Sequence, residues 1–189
     1  CAQYQYAIEQ ADAICSKIYK DAGLPGLGVG VLIDGEVVWT AAYGYADIEE
    51  EKPINVEKTL FRIGSVSKTL TGVGLLQLTE TGKIDLDEEI HTYVPSFPPK
   101  EYPVTVRQIA LHVGGIRHYQ AMEFMNNVHY GTVTEGLSIF DADPLLYEPG
   151  TEYSYSSYGW NLISAAMETA SGDDFLSYMR KHVFKPAKT

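Results

Sequence analysis

The sequence predicts an α+β protein in which a short antiparallel sheet comes early and helices make up most of the remainder. Three observations carry this expectation. Residues 4 to 22 place Tyr6, Ala7, Ala11, Ile14, Cys15 and Ile18 at the spacing of an amphipathic helix. Residues 26 to 44 read as two apolar strands around Asp34-Gly35, a strong hairpin-turn signal. The later apolar stretches recur at helical spacing.

Taken in order, the first helix is stopped by Gly23 and Pro25. Leu27–Ile33 and Glu36–Tyr43 are the strands of the hairpin. A polar loop follows through Glu49, Glu50, Glu51 and Pro53, and its acidic run suits a solvated surface. After Gly64, a long helix is expected with Leu70, Val73, Leu76 and Leu78 near helical spacing and Gly82 as its stop. A proline-bearing stretch from Pro95 to Pro103 leads to a helix over Val104–His112, broken at Gly114-Gly115. Residues 117 to 141 suggest short helices with polar joints, and Pro149-Gly150 a turn. Residues 157 to 170 form a helix closed by Ser171-Gly172. A last helix runs from Asp173 to Phe184, its two N-terminal aspartates placed where the helix dipole favours them. The division expected is an N-terminal helix and hairpin over residues 1–64 and a helical region over 65–189.

The chain has 189 residues and a net charge of -11 at pH 7. That balance argues against nucleic acid as a partner, because binding it needs basic grooves. No run of 18 or more apolar residues appears, so no transmembrane helix is predicted. Two cysteines, Cys1 and Cys15, do not make a disulfide framework. Cys15 is expected as a small core residue of the first helix. A mature chain that begins with cysteine suits a bacterial lipoprotein, so a membrane tether through Cys1 is an expectation set against an arbitrary start. His91, His118, His129 and His182 show no metal-ligand grouping; no metal and no cofactor are expected.

The chemistry concentrates in Phe61-Arg-Ile-Gly-Ser-Val-Ser-Lys-Thr-Leu-Thr-Gly72. Ser65 and Lys68, three residues apart, fall on one face of a helix start. A serine hydroxyl is a weak nucleophile near neutrality. A basic neighbour can take its proton, and a helix N-terminus favours the negative charge that develops. Taken alone, S-x-x-K is weak evidence and fits a capping serine with a solvated lysine better than a nucleophile. It is also the nucleophile motif of β-lactamases and penicillin-binding proteins.

Further segments agree with that family. They are Leu60 to Lys68, Gly82-Lys-Ile-Asp-Leu-Asp87, Tyr93-Val-Pro-Ser-Phe-Pro98, Val104-Thr-Val-Arg-Gln-Ile109, His112-Val-Gly-Gly-Ile-Arg-His-Tyr119 and Tyr155-Ser-Ser-Tyr-Gly-Trp160. From about Gly26 to Pro186 the chain resembles the serine β-lactamase-like and penicillin-binding superfamily. The likeness is to its class C-like branch, which includes the mitochondrial serine β-lactamase-like protein and bacterial relatives. The resemblance implies a β-lactamase/transpeptidase-like fold. It implies Ser65 as the acylated nucleophile, Lys68 as its activating neighbour, and Tyr155 as the tyrosine of the Y-x-N motif that moves the proton to the leaving group. A tyrosine ionises near pH 10 and needs a cation such as Lys68 to act as a base near neutrality.

Two departures stand out. The family's asparagine is Ser157, expected to contact substrate with a shorter reach. The usual H-T-S-G is His112-Val-Gly-Gly115, whose histidine is expected to pack beneath the site. No Glu-x-x-Leu-Asn segment offers the class A deacylation base. The family's third motif, K-T-G or H-x-G on a closing strand, has no counterpart, since Lys188-Thr189 follows the tyrosine motif too closely. That strand would supply one oxyanion-hole donor beside the Ser65 amide, at a cost of roughly 100- to 1000-fold if absent. The sheet is therefore expected to be incomplete, with its C-terminal strands outside this chain. Pairing with that missing portion, or with a second copy, is expected to cover the open edge.

The functional expectation is a serine hydrolase acting through an acyl-enzyme on an amide, β-lactam or ester carbonyl of a small molecule or peptide. The branch tilts this toward peptidase or esterase action on non-antibiotic substrates. The alternative is an incompetent fragment, or a binding or assembly protein that keeps the fold. The implied compartment is extracytoplasmic for a bacterial protein and mitochondrial for a eukaryotic one.

Overall fold

In the computed structural model, which describes residues 2–188, the chain divides into two units, Cys1–Arg62 and Ile63–Thr189. The expected tether at Cys1 and the terminal Thr189 lie outside the described residues.

In the first unit, a 3-10 turn (Ala2–Tyr4) leads into helix α1 (Gln5–Asp21). Two tyrosines anchor α1 on the sheet. The Tyr43 hydroxyl donates to Asp12 Oδ1 at 2.6 Å, and the Tyr19 and Tyr43 rings stack with centroids 6.2 Å apart. No residue of α1 is buried, and Cys15, expected in the core, is half-buried and free.

Strands β1 (Gly26–Ile33) and β2 (Glu36–Asp47) pair antiparallel, from Gly26 opposite Gly44 to Ile33 opposite Glu36. Asp34 and Gly35 both take positive φ, 52° and 82°, as a tight primed hairpin turn requires. A register shift between Val31 and Leu32 marks a bulge. A third strand, β3 (Lys52–Pro53), pairs with β2 at Tyr45 and Asp47, so the sheet has three strands in the order β1-β2-β3. The sequence predicts a polar loop and only two strands here. Two residues leave no alternation to read, and proline argues against a strand because it cannot donate to the ladder. Ile54, just after β3, is the one buried apolar side chain of this unit among the described residues.

The second unit holds the hydrophobic core. Its centre is helix α6 (Ser157–Ser171), which buries Leu162, Ile163, Ala165, Ala166 and Met167. A helix that is apolar on most sides needs partners all round. They are α2 (Ser67–Glu80), α3 (Ile90–Tyr93), α4 (Val106–Ala110), α5 (Val133–Gly136) and α7 (Phe175–Met179), all packed on α6. A π-type turn (Arg180–Phe184) and a short α8 (Lys185–Ala187) follow α7. The single helix expected over Asp173 to Phe184 is thus two local geometries, an α-helical and a π-type stretch, started by the Asp174 cap on the Ser177 amide.

α2 comes close to α6 and α7 at Gly74, where a Cβ would lie 2.8 Å from Met167 Cε and 3.1 Å from Met179 Sδ. Glycine in mid-helix costs about 0.5–1 kcal/mol, here offset by that close packing. The buried face of α2 is Thr71, Gly74, Leu75 and Leu78. Of the apolar set expected from spacing, Leu78 is buried, Leu70 packs against the core, and Val73 and Leu76 are 46% and 54% exposed. α2 is apolar around most of its circumference, so spacing alone does not choose a face.

The helix expected over Val104–His112 is the short α4, with a reciprocal capping box between Thr105 and Gln108. α3 was not foreseen; four residues are too few to show a period. The stretch 117–141 is built of short pieces as expected: 3-10 turns at Ala121–Met125 and Leu137–Ile139, with α5 between them.

Candidate active site

Gly64, Ser65 and Val66 form a 3-10 turn that runs directly into α2. Three residues per turn bring positions i and i+3 into line. Lys68 Nζ accordingly reaches Ser65 Oγ at 3.2 Å. The same ammonium donates to Ser157 Oγ at 3.1 Å and lies 4.9 Å from the centre of the Tyr155 ring. The Tyr155 hydroxyl donates to Ser65 Oγ at 2.8 Å. Lys68 and Tyr155 thus meet on the Ser65 hydroxyl, and Ser157, 92 positions from Ser65, joins the cluster through the Lys68 ammonium.

Tyr155 and Ser157 reach this point because the start of α6 is heavily tied down. Ser156 is the N-cap, its Oγ accepting from the Gly159 amide at 2.9 Å and donating to the Arg117 carbonyl at 2.7 Å. His112 Nδ1 accepts the Ser156 N–H at 3.1 Å, and His118 Nδ1 accepts the Ser157 N–H at 3.2 Å. Two successive amides at the head of one helix are thus each held by an imidazole. Both imidazoles also touch Tyr155, with ring centroids 4.4 Å away for His112 and 5.4 Å for His118. His112 has φ of +62°, a conformation non-glycine residues adopt rarely and at a cost on the order of 1 kcal/mol. Its carbonyl in turn accepts from the Ser154 amide at 2.9 Å and from the Tyr147 hydroxyl.

The electrostatics follow from Lys68. It is the largest influence holding the Tyr155 phenol below its ordinary value of 10; Ser65 adds to the effect and burial opposes it. The His112 imidazole is pushed down by burial first, then by Lys68 and His118. His118 is pushed down by burial and then by Lys68. Both rings therefore favour the neutral form, which the acceptor role of each Nδ1 requires.

A cleft of about 440 Å³ opens over these groups. Beside Ser65, Lys68, Tyr155 and Ser157, its walls include His118, Tyr119, Phe124, Trp160, Asn161 and Phe175. Among the described residues, Lys68 is the only lysine or arginine that lines it, and no aspartate or glutamate does. The Trp160 indole N–H is buried without a partner among the described residues. Among those residues no three of His, Cys, Asp and Glu group as a metal site, and no helix is long and apolar enough to cross a membrane.

Sequence reasoning placed His112 beneath the site, and its ring lies against Tyr155. It missed His118, which it weighed only as a metal ligand. A lone histidine in a loop carries no spacing signal; Ile116-Arg-His-Tyr119, next to the glycine pair, was the one local hint.

Residues 8–189 match the family model described as Beta-lactamase. The chain is 33% identical to the serine beta-lactamase-like protein LACTB, mitochondrial, of Homo sapiens, over 93% of this chain and 44% of that protein. Among solved structures it is similar to the D-alanine carboxypeptidase AmpC of Burkholderia cenocepacia (TM-score 0.75, 26% identity, 95% of this chain and 48% of that one). It also superposes on EstCE1, a hydrolase with promiscuous acyltransferase activity. There the TM-score is 0.87 at 23% identity, over 98% of this chain and 52% of that one, and the likeness speaks to fold. The chain thus spans about half the length of the proteins it matches or less.

Proposed function

The chain belongs to the beta-lactamase family and has the β-lactamase/transpeptidase-like fold, and from that premise we propose that it carries the nucleophile side of a serine hydrolase working through an acyl-enzyme. The supporting observation is that Tyr155 and Lys68 both reach Ser65 Oγ within hydrogen-bonding distance while Ser157 accepts from the same Lys68 ammonium.

In the proposed reaction, Ser65 Oγ attacks a substrate carbonyl and forms the acyl bond as its proton passes to the Tyr155 phenolate. Lys68 stabilises that phenolate and the developing charge, and Ser157 holds the ammonium in place. Tyr155 then gives that proton to the leaving group as its bond to the carbonyl carbon breaks, and water hydrolyses the acyl–Ser65 bond, its oxygen going to the acyl carbon and a proton to Ser65 Oγ. General acid–base help of this kind is worth roughly 10²- to 10⁴-fold. Small-molecule or peptide amides, β-lactams and esters all present the required carbonyl, and the uncharged, aromatic walls around Lys68 set no demand for a charged acyl group. Completion of the site by a further portion of the protein or by a second copy remains part of the proposal, as does the compartment, extracytoplasmic or mitochondrial.

The test is covalent labelling of the natural gene product with a fluorophosphonate and a fluorescent penicillin. A Ser65 adduct that disappears in Ser65→Ala is expected, together with a loss of hydrolysis of roughly 10⁴-fold. Absence of any adduct with both probes would sink this reading in favour of a non-enzymatic role.

A further inference from the structure

The two imidazoles at the head of α6 do more than fill space. His118 Nδ1 takes the amide of Ser157, the residue whose hydroxyl steadies Lys68, and His118 sets its edge against the Tyr155 ring. His112 Nδ1 takes the adjacent amide of Ser156 and lies on the same ring from a strained backbone. Both nitrogens can accept only while unprotonated. A proton on either Nδ1 would set two donors face to face and break the hold on that amide.

Resting on the serine hydrolase reading, we propose that His118, together with His112, is a positioning residue: the pair forms a clamp that aligns Tyr155 and Ser157 with Ser65 while uncharged and releases them on protonation. The surroundings favour such a device. The charged group facing both rings is Lys68 on α2, so a second positive charge is opposed. His112 and His118 also face each other electrostatically, so charging one opposes charging the other. The other titratable neighbours are tyrosines: Tyr119 against His118, Tyr153 against His112, and Tyr155 against both. Glu123, a carboxylate on the same segment, is committed to Arg117, whose guanidinium donates to the His118 carbonyl.

The sign follows. Both folded values lie below the ordinary 6.5, so the clamp is complete above about pH 6.5 and is lost as pH falls through the depressed values. Loss of phenolate alone lowers the rate by at most one decade per pH unit, and protonation of the clamp steepens that fall.

The experiment measures the rate of fluorophosphonate acylation of Ser65 in the natural gene product from about pH 4.5 to about pH 8. The comparison is with His112→Asn/His118→Asn, because Asn Oδ1 can accept the same amide and does not titrate. Below about pH 6 the natural protein should fall more steeply than the variant, by close to one further decade per pH unit. His118→Phe, which lacks the acceptor, should lose about tenfold or more at about pH 7.5, mainly in the limiting acylation rate at saturating probe rather than in probe affinity. Equal slopes in the natural protein and the asparagine variant overturn the clamp, and they decide the matter even if His118→Phe fails to fold. No labelling at any pH removes the serine hydrolase reading and the clamp with it, whereas labelling with equal slopes removes the clamp alone.

Discussion

Tyr155 and Tyr158 stand three residues apart, yet their phenols are driven in opposite directions. Tyr155 is 36% exposed, borders the cleft and faces Lys68, and its pKa is lowered. Tyr158 is 2% exposed and donates to Glu123 Oε2 at 3.0 Å; burial and that carboxylate push it up to about 12. Around Tyr158 every charge is answered. Arg117 binds Glu123 through two nitrogens at 2.7 and 3.0 Å, binds Asp143 through Nε, and donates to the His118 and Ile139 carbonyls. Around Tyr155 the ammonium of Lys68 meets only hydroxyls and an aromatic face. A saturated network rigidifies, whereas an unanswered cation is available to a developing negative charge. The two sets are joined through the backbone of residues 117 and 118, so the Tyr158 set braces the Tyr155 set.

The comparison can be broken most directly by trading hydroxyls. Tyr155→Phe should cost roughly 10²- to 10⁴-fold in acylation of Ser65 with little change in thermal midpoint. Tyr158→Phe should do the reverse. It should leave acylation within a few-fold and lower stability by about 1–2 kcal/mol in chemical denaturation, because a buried donor to a carboxylate is lost. Similar losses of acylation in both variants would erase the distinction.

The next effect tests the bracing. Arg117→Met removes a buried cation that neutralises two carboxylates, and should cost on the order of 3 kcal/mol in denaturant unfolding. A stability equal to the natural protein's would show the network to be dispensable.

The smallest effects are shifts in titration. The rate should rise with pH through the lowered Tyr155 pKa, and in Lys68→Met that break should move up toward 10, on top of a lower rate. In Glu123→Gln, the Tyr158 phenol should ionise below about 12, read by its ultraviolet absorbance. Because the folded Tyr158 value is raised, its stabilisation is complete below pH 10 and is lost as pH rises through about 12. Glu123 behaves oppositely: held at about 2, chiefly by Arg117, it stabilises above its ordinary 4.5 and loses this as pH falls toward 2.

What could be read in advance depended on how local each interaction is. Ser65 and Lys68 stand out because their contact spans one turn. The hairpin was legible through Asp34-Gly35, and the C-terminal end of α6 through its Gly172 stop. Tyr155 and Ser157 came only from resemblance, since in a chain with 14 tyrosines nothing local marks one. β3 escaped because two residues carry no period, and His118 because its partner amide lies 39 positions away. The face of α2 was misjudged at Val73 and Leu76, where spacing favours several faces equally.

By itself, then, the amino-acid order determined the hairpin, the long helices α1, α2 and α6 and the nearness of Ser65 and Lys68, because those rest on contacts within a few residues. Only the tertiary structure decided which tyrosine meets the lysine, which face of α2 is buried, and that two histidines hold adjacent amides of α6. Those outcomes depend on long-range packing around α6, and a linear pattern holds no record of which distant groups will share a surface.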